Sequence, residues 1–128
     1  MKNNTKIAVT RILTALVTLI IILSASSKLA FVPQLVEIFS KIGLLSYLNI
    51  LGITELMFLA LFIWKKTRKL GLLLLTGYFG GAMAVEISHG TFFIAPATIL
   101  TLIWITAYLH DEKMFISENK EVTKTVIL

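Results

Sequence analysis

Charged residues stand along this chain as fences between long apolar runs. Sixteen uncharged residues lie between Arg11 and Lys28 (ILTALVTLIIILSASS), and the twenty-three from Ile42 to Trp64 are broken only by Glu55. Leu70 to Val85 adds sixteen more and Thr91 to Leu109 nineteen, neither holding a formal charge. A bilayer-crossing helix needs ~20 mostly apolar residues, within a range of ~17–25. These runs are apolar on all sides, with no polar face to meet water. They predict four membrane-spanning helices over about 8–28, 43–64, 70–88 and 92–109, the first lengthened by the snorkelling stems of its flanking cations. The expected fold is all-α, an integral membrane four-helix bundle over 1–110, followed by a polar cytoplasmic tail over 111–128.

The first loop carries its own element. Pro33 opens a short segment and Gly43 closes it, the asymmetry of helix ends. Within it Leu35, Ile38, Phe39 and Ile42 fall at i, i+3, i+4 and i+7, which predicts an interfacial amphipathic helix over about 33–42, between helices 1 and 2. Cations then orient the bundle. Lys2, Lys6 and Arg11 precede the first run, and Lys65, Lys66, Arg68 and Lys69 fill the loop between the second and third spans. The first loop sets Lys28 and Lys41 against Glu37, and the last loop (SHG) has no cation apart from its histidine. Cation-rich and cation-poor segments alternate, so both termini are expected on the cytoplasmic side. A leader cleaved near Ser24-Ala25-Ser26 is the competing reading of the first run.

Composition narrows the function classes. Of the 128 residues 57% are apolar and 15% charged, against ~45–50% and ~25% in ordinary soluble domains. That balance argues against a soluble enzyme, a nucleic-acid-binding module and a disordered chain. The net charge of +5 is carried by the inner loops, so it is a topology signal and no nucleic-acid partner is expected. Without Cys there is no disulfide, iron–sulfur or thiol chemistry. His89 and His110 flank the last span twenty-one residues apart, ~30 Å along a helix, too far to share one metal or haem. No metal site and no intrinsic cofactor is expected, and no catalytic motif is found. No internal repeat supports an inverted-repeat transporter.

The chemistry therefore rests on polar residues within the spans. An ionisable group at a bilayer centre costs at least ~2.5–3.5 kcal/mol and is a functional suspect by default. Counting ~1.5 Å per residue from the inner cations, Glu55 comes out at the middle, with Tyr78 and Thr101 within about one turn of its level. A carboxylate there must be protonated or partnered. Lys28 and Glu86 come out at matching height near the outer edge, where a pair closing the outer mouth is expected, with His89 one turn beyond Glu86. Glu55, Tyr78, Thr101, Lys28, Glu86 and His89 are thus the candidate ligand-binding residues. Gly52, Gly77, Gly80, Gly81 and Ala84 are expected to pack helices. Gly77 and Gly81 form a G-x-x-x-G match, with Ser88 continuing the small-residue stripe. The Thr10, Thr14, Thr18 series is read as helix packing as well.

Four stretches carry a resemblance. SASSKL ends the first run with Ala25 three before Lys28, LGITEL places Gly52 three before Glu55, TGYFGGAMA carries Gly77, Tyr78, Gly80, Gly81 and Ala82, and Pro96 stands near the start of the last run. In these the chain resembles the DoxX-like family of small four-helix bacterial membrane proteins, up to about Asp111. It departs from the family at Glu86, where many members carry His, and near Ser88, where they carry a basic residue; His89 could take over from that His. The resemblance implies a multi-pass protein of the bacterial cytoplasmic (inner) membrane, associated with a redox system and facing quinone or lipid. The expected function is a non-catalytic membrane subunit, or a binder of a quinone-like or lipophilic small molecule. Its partners would be the bilayer, that molecule as a bound ligand, and a redox subunit or further copies of itself. Two other readings stay open: a membrane component of a quinone-linked oxidoreductase, and a proton-coupled small-solute transporter built on Glu55.

Overall fold

The computed structural model describes residues 3–91 and 93–115, and among them every regular element is helical. The helices are α1 (Asn3–Leu29), α2 (Pro33–Lys41), α3 (Leu48–Ile63), α4 (Arg68–Ser88) and α5 (Ile94–His110). Short 3₁₀ turns at Leu45–Tyr47, Lys65–Thr67 and Glu112–Met114 join or follow them. Three stretches, Asn3–Leu29, Leu45–Ile63 and Lys65–Ser88, have the length and apolarity to cross a membrane. α5 is apolar too but has 17 residues, at the short edge of the ~17–25 a span requires.

The elements end where their backbone chemistry says they should. After α2, Gly43 takes a φ of +76°, while the Leu44 N–H donates to Phe39 O at 2.9 Å and the Gly43 N–H to Ser40 O at 3.3 Å. This is the Schellman arrangement, in which a left-handed residue lets two orphan carbonyls be satisfied. The end of α4 repeats it through Gly90, with the Thr91 N–H donating to Glu86 O at 2.9 Å. α1 ends the same way on Phe31, whose φ of 52° is costly for a residue with a Cβ. The end of α3 has a side-chain solution instead. Thr67 Oγ1 donates to Leu61 O at 2.7 Å, and Arg68 donates to Phe62 O at 3.2 Å and Ile63 O at 3.1 Å. The guanidinium thereby satisfies the last carbonyls of α3 and meets the negative end of its dipole.

α1 packs on α3 and α5, and α4 packs on the same two, so the four long helices close a ring with α1 and α4 across from each other. Val17 and Ile21 of α1, Leu59 and Phe62 of α3, Leu72, Leu75 and Phe79 of α4, and Ile103 and Ala107 of α5 fill the centre. α2 stands apart, with no buried residue. Leu35, Phe39 and Ile42 are half-buried, but Ile38 is exposed, so the apolar stripe read along 33–42 is only partly covered by the chain. The chain after α5 does not begin as a solvated tail. Met114 and Phe115 turn back onto the core, the Phe115 ring lying 5.4 Å from Trp104 and 5.7 Å from Tyr108. The apolar pair M-F interrupts the charged run and finds an aromatic floor there. The remainder of the expected tail, 116–128, lies outside the described residues.

The small-residue stripe of α4 is also different from expectation. A Cβ placed on Gly77, Gly80 or Gly81 would meet nothing within 4 Å, and Gly77, Gly81, Ala84 and Ser88 are exposed. Among the described residues these pack against no other helix, because the face of α4 that turns inward is Gly71, Leu72, Leu75 and Phe79. Close approach happens instead at Gly71, where a Cβ would overlap the Phe62 backbone. Gly52 does pack as expected, a Cβ there lying 3.1 Å from Ala25 O and 3.0 Å from Leu29 Cγ.

Candidate functional site

The contact between Gly52 and Ala25 determines the chemistry one turn further on. With no side chain on α3 and only a methyl on α1, the two backbones come close near the end of α1. Lys28 and Glu55 each lie three residues past that contact on their own helix. Helical side chains lean toward the N-terminus of their helix. α1 and α3 are antiparallel neighbours, so the Lys28 and Glu55 side chains lean toward each other. Lys28 Nζ donates to Glu55 Oε2 at 2.8 Å and to Ser24 Oγ, one turn back on α1, at 2.7 Å.

Tyr78 of α4 completes the group. Its hydroxyl gives its single proton to the carboxylate, Glu55 Oε2, at 3.0 Å, with Leu51 O farther off at 3.3 Å. The ring is braced edge-on by Phe58, at 6.4 Å between centroids, and by Phe79, at 5.1 Å. Glu55 is 0% exposed and the Lys28 side chain 12%, so the ion pair is withdrawn from water. Oε2 thus receives two donors, while Oε1 is buried and has no hydrogen-bond partner among the described residues. A buried acceptor left without a donor is costly and rare, and calls for an explanation. Lys28 has three N–H donors, of which two are engaged among the described residues.

The remaining candidates are not brought to this group. Lys28 turns to Glu55 rather than to Glu86, because the parallel helices α1 and α4 lean their side chains the same way and stand on opposite sides of the ring. Glu86 is half-buried, and its Oε2 is buried with no partner among the described residues. His89 is exposed and folds back on its own helix, its Nδ1–H donating to Val85 O at 2.9 Å. Thr101 is exposed and donates to Ala97 O at 2.9 Å. It shares the height of Glu55 but not the direction, since α5 turns Pro96, Ile103, Thr106 and Ala107 inward.

Two cross-helix bonds join partners that the spacing of residues does not name. Trp104 Nε1–H donates to Thr76 Oγ1 at 3.0 Å, tying α5 to α4. Thr14 Oγ1 lies 2.7 Å from His110 Nε2 and also 2.7 Å from Thr10 O, its backbone acceptor. Its single proton goes to that carbonyl, so His110 is the donor in the bond from α5 to α1. The only signal for it was the Thr10, Thr14, Thr18 series, which marks a polar face without naming the partner. Among the described residues no three His, Asp or Glu side chains converge as a metal site would require. No protein-family model matches the chain, and neither do any of the curated proteins or solved structures compared with it.

Proposed function

We propose that this chain is a multi-pass protein of the bacterial inner membrane, of DoxX-like type, whose four long helices cross the bilayer and enclose a binding site for a quinone-like or other lipophilic small molecule. In this reading it is a non-catalytic subunit working beside a redox partner. The observation that supports it is the half-satisfied carboxylate of Glu55: Oε2 is held by Lys28 and Tyr78, while Oε1 is buried without a donor among the described residues. Such a group suits a ligand hydroxyl, which donates to Oε1. The third N–H of Lys28 suits a ligand carbonyl. One acceptor beside one donor, walled by Phe58 and Tyr78, matches the polar edge of a quinone or quinol on an otherwise apolar body.

The test is purification of the full chain in mild detergent, followed by extraction and mass spectrometry of what stays bound. Wild-type protein should retain a quinone-class or comparable lipophilic molecule above its share in the membrane. The double variant Lys28→Met with Glu55→Leu, which keeps the site neutral, should lose it. Extracts that match bulk membrane lipid for both proteins would overturn the reading.

A further inference from the structure

A second constellation lies at the opposite end of the bundle from Lys28. The first turns of α1 and the last turn of α5 leave between them a cleft of about 290 Å³, lined by Lys6, Ile7, Thr10, Arg11, Leu109 and His110. Two cations therefore share one concave wall. Arg11 is exposed and makes no ion pair or side-chain hydrogen bond among the described residues. Lys6 pairs with Glu112 at 2.7 Å, but both side chains are substantially exposed, at 34% and 47%, and an exposed pair of this kind is weakly held. The Thr10 hydroxyl is already given to Lys6 O at 2.7 Å and His110 Nε2 to Thr14. Among the described residues this leaves the Arg11 guanidinium unengaged and Lys6 held only by its exposed pair. Its other walls, Ile7 and Leu109, are apolar.

We propose that this cleft binds a phosphate group, with the Arg11 guanidinium as principal contact and Lys6 as the second cation. A planar guanidinium meets two phosphate oxygens at once, which an ammonium cannot do. Basic pockets between helices on the cytoplasmic side of a membrane are suited to anionic headgroups. The phosphate belongs to an anionic lipid of the inner leaflet or to free phosphate. Ile7 and Leu109, set beside the cations, match a group with acyl chains attached. The lipid arm rests on the membrane reading given above; the phosphate chemistry of the cleft does not.

The test uses the full chain in detergent, titrated separately with phosphatidylglycerol, phosphatidylcholine and inorganic phosphate, with bound lipid read by native mass spectrometry and stability by thermal melting. Phosphatidylglycerol should be retained where phosphatidylcholine is washed away. Arg11→Gln should weaken that retention about tenfold, the scale of one lost charge-assisted contact. Lys66→Gln, an equal charge change at an exposed site outside the cleft, should leave it unchanged. Stabilisation by inorganic phosphate equal to that by phosphatidylglycerol, and lost in Arg11→Gln, would assign the site to free phosphate. Equal behaviour of wild type, Arg11→Gln and Lys66→Gln in every arm would overturn the proposal. Flotation with zwitterionic vesicles separates the two readings: a chain that stays out of the vesicles fails the membrane reading, while the phosphate titration still reports on the cleft.

Discussion

Lys28 Nζ and Glu55 Oε2 are 2.8 Å apart, in a pair whose acid is fully buried. Two charges withdrawn from water gain little net stability from meeting, yet removing one strands the other, at a cost of about 3–5 kcal/mol. Lys28→Met alone and Glu55→Leu alone should each lower the melting temperature in detergent. The double variant should regain most of the loss, since it leaves no uncompensated charge. Coupling near zero in that cycle would mean the two side chains do not interact in the folded protein.

Substitutions at Glu55 should rank by what they leave buried. Gln keeps an acceptor for the Tyr78 hydroxyl and the Lys28 ammonium. Lys places a second cation against Lys28 in a site closed to water. Glu55→Gln strands the Lys28 charge but keeps its hydrogen bonds, so it should melt below wild type yet above Glu55→Leu, whereas Glu55→Lys should fail to accumulate or should melt far lower. Equal expression and equal melting of the two would contradict the burial of this residue.

The helices were legible because each apolar run is fenced by charges, and so was the need of Glu55, the lone charge in its run, for a partner. The partner of Glu55 was not legible. Counting residues from the inner cations gives the height of a Cα atom, and by that measure Lys28 matches Glu86. It ignores the place of each helix in the ring, which sets α4 across from α1 and keeps Glu86 away from Lys28, and the lean of side chains toward their own N-terminus, which brings Lys28 to Glu55 on the antiparallel α3. Thr101 was misplaced for a related reason, since height says nothing about which way a residue faces. The same limit applies to the glycines. Gly77 and Gly81 spell a packing motif, but the inward face of α4 begins at Gly71, whose contact depends on how the turn at Lys65–Thr67 folds the helix back against α3.

The alternation of cations makes orientation testable. The Lys6–Glu112 ion pair, 2.7 Å long, sets the start of α1 beside the end of α5, so the two lie on one side of the bundle that the proposed function places in a membrane. That side should be the cytoplasmic one. A C-terminal reporter that works only in the cytoplasm should be active, and one that works only in the periplasm silent. The reverse pattern would invert the assignment.

Arg68 should matter more than a surface cation does. It donates to two carbonyls at the end of α3, Phe62 O and Ile63 O. Arg68→Met should cost about 1.5–3 kcal/mol, the scale of hydrogen bonds from a charged donor. Arg68→Lys should fall between, because an ammonium lacks the fork that bridges two acceptors. Thermal melting of the three proteins checks the order, and indifference to both substitutions would show that the cap contributes nothing.

The glycines of α4 should separate sharply when each is changed to Ala. At Gly71 the added methyl would overlap the Phe62 backbone, and backbone cannot swing aside as a flexible side chain can. The turn must open or α4 must slide, so Gly71→Ala should cost at least ~1–3 kcal/mol, the range for forcing atoms into a packed site. At Gly77 and Gly81 the methyl enters open space, and helix propensity alone favours Ala by about 0.5–1 kcal/mol. Gly77→Ala and Gly81→Ala should therefore melt at or above the wild-type temperature in detergent. If instead they lose as much as Gly71→Ala does, something outside this chain covers that face of α4 in the assembled protein, and the stripe packs helices after all, between molecules rather than within one.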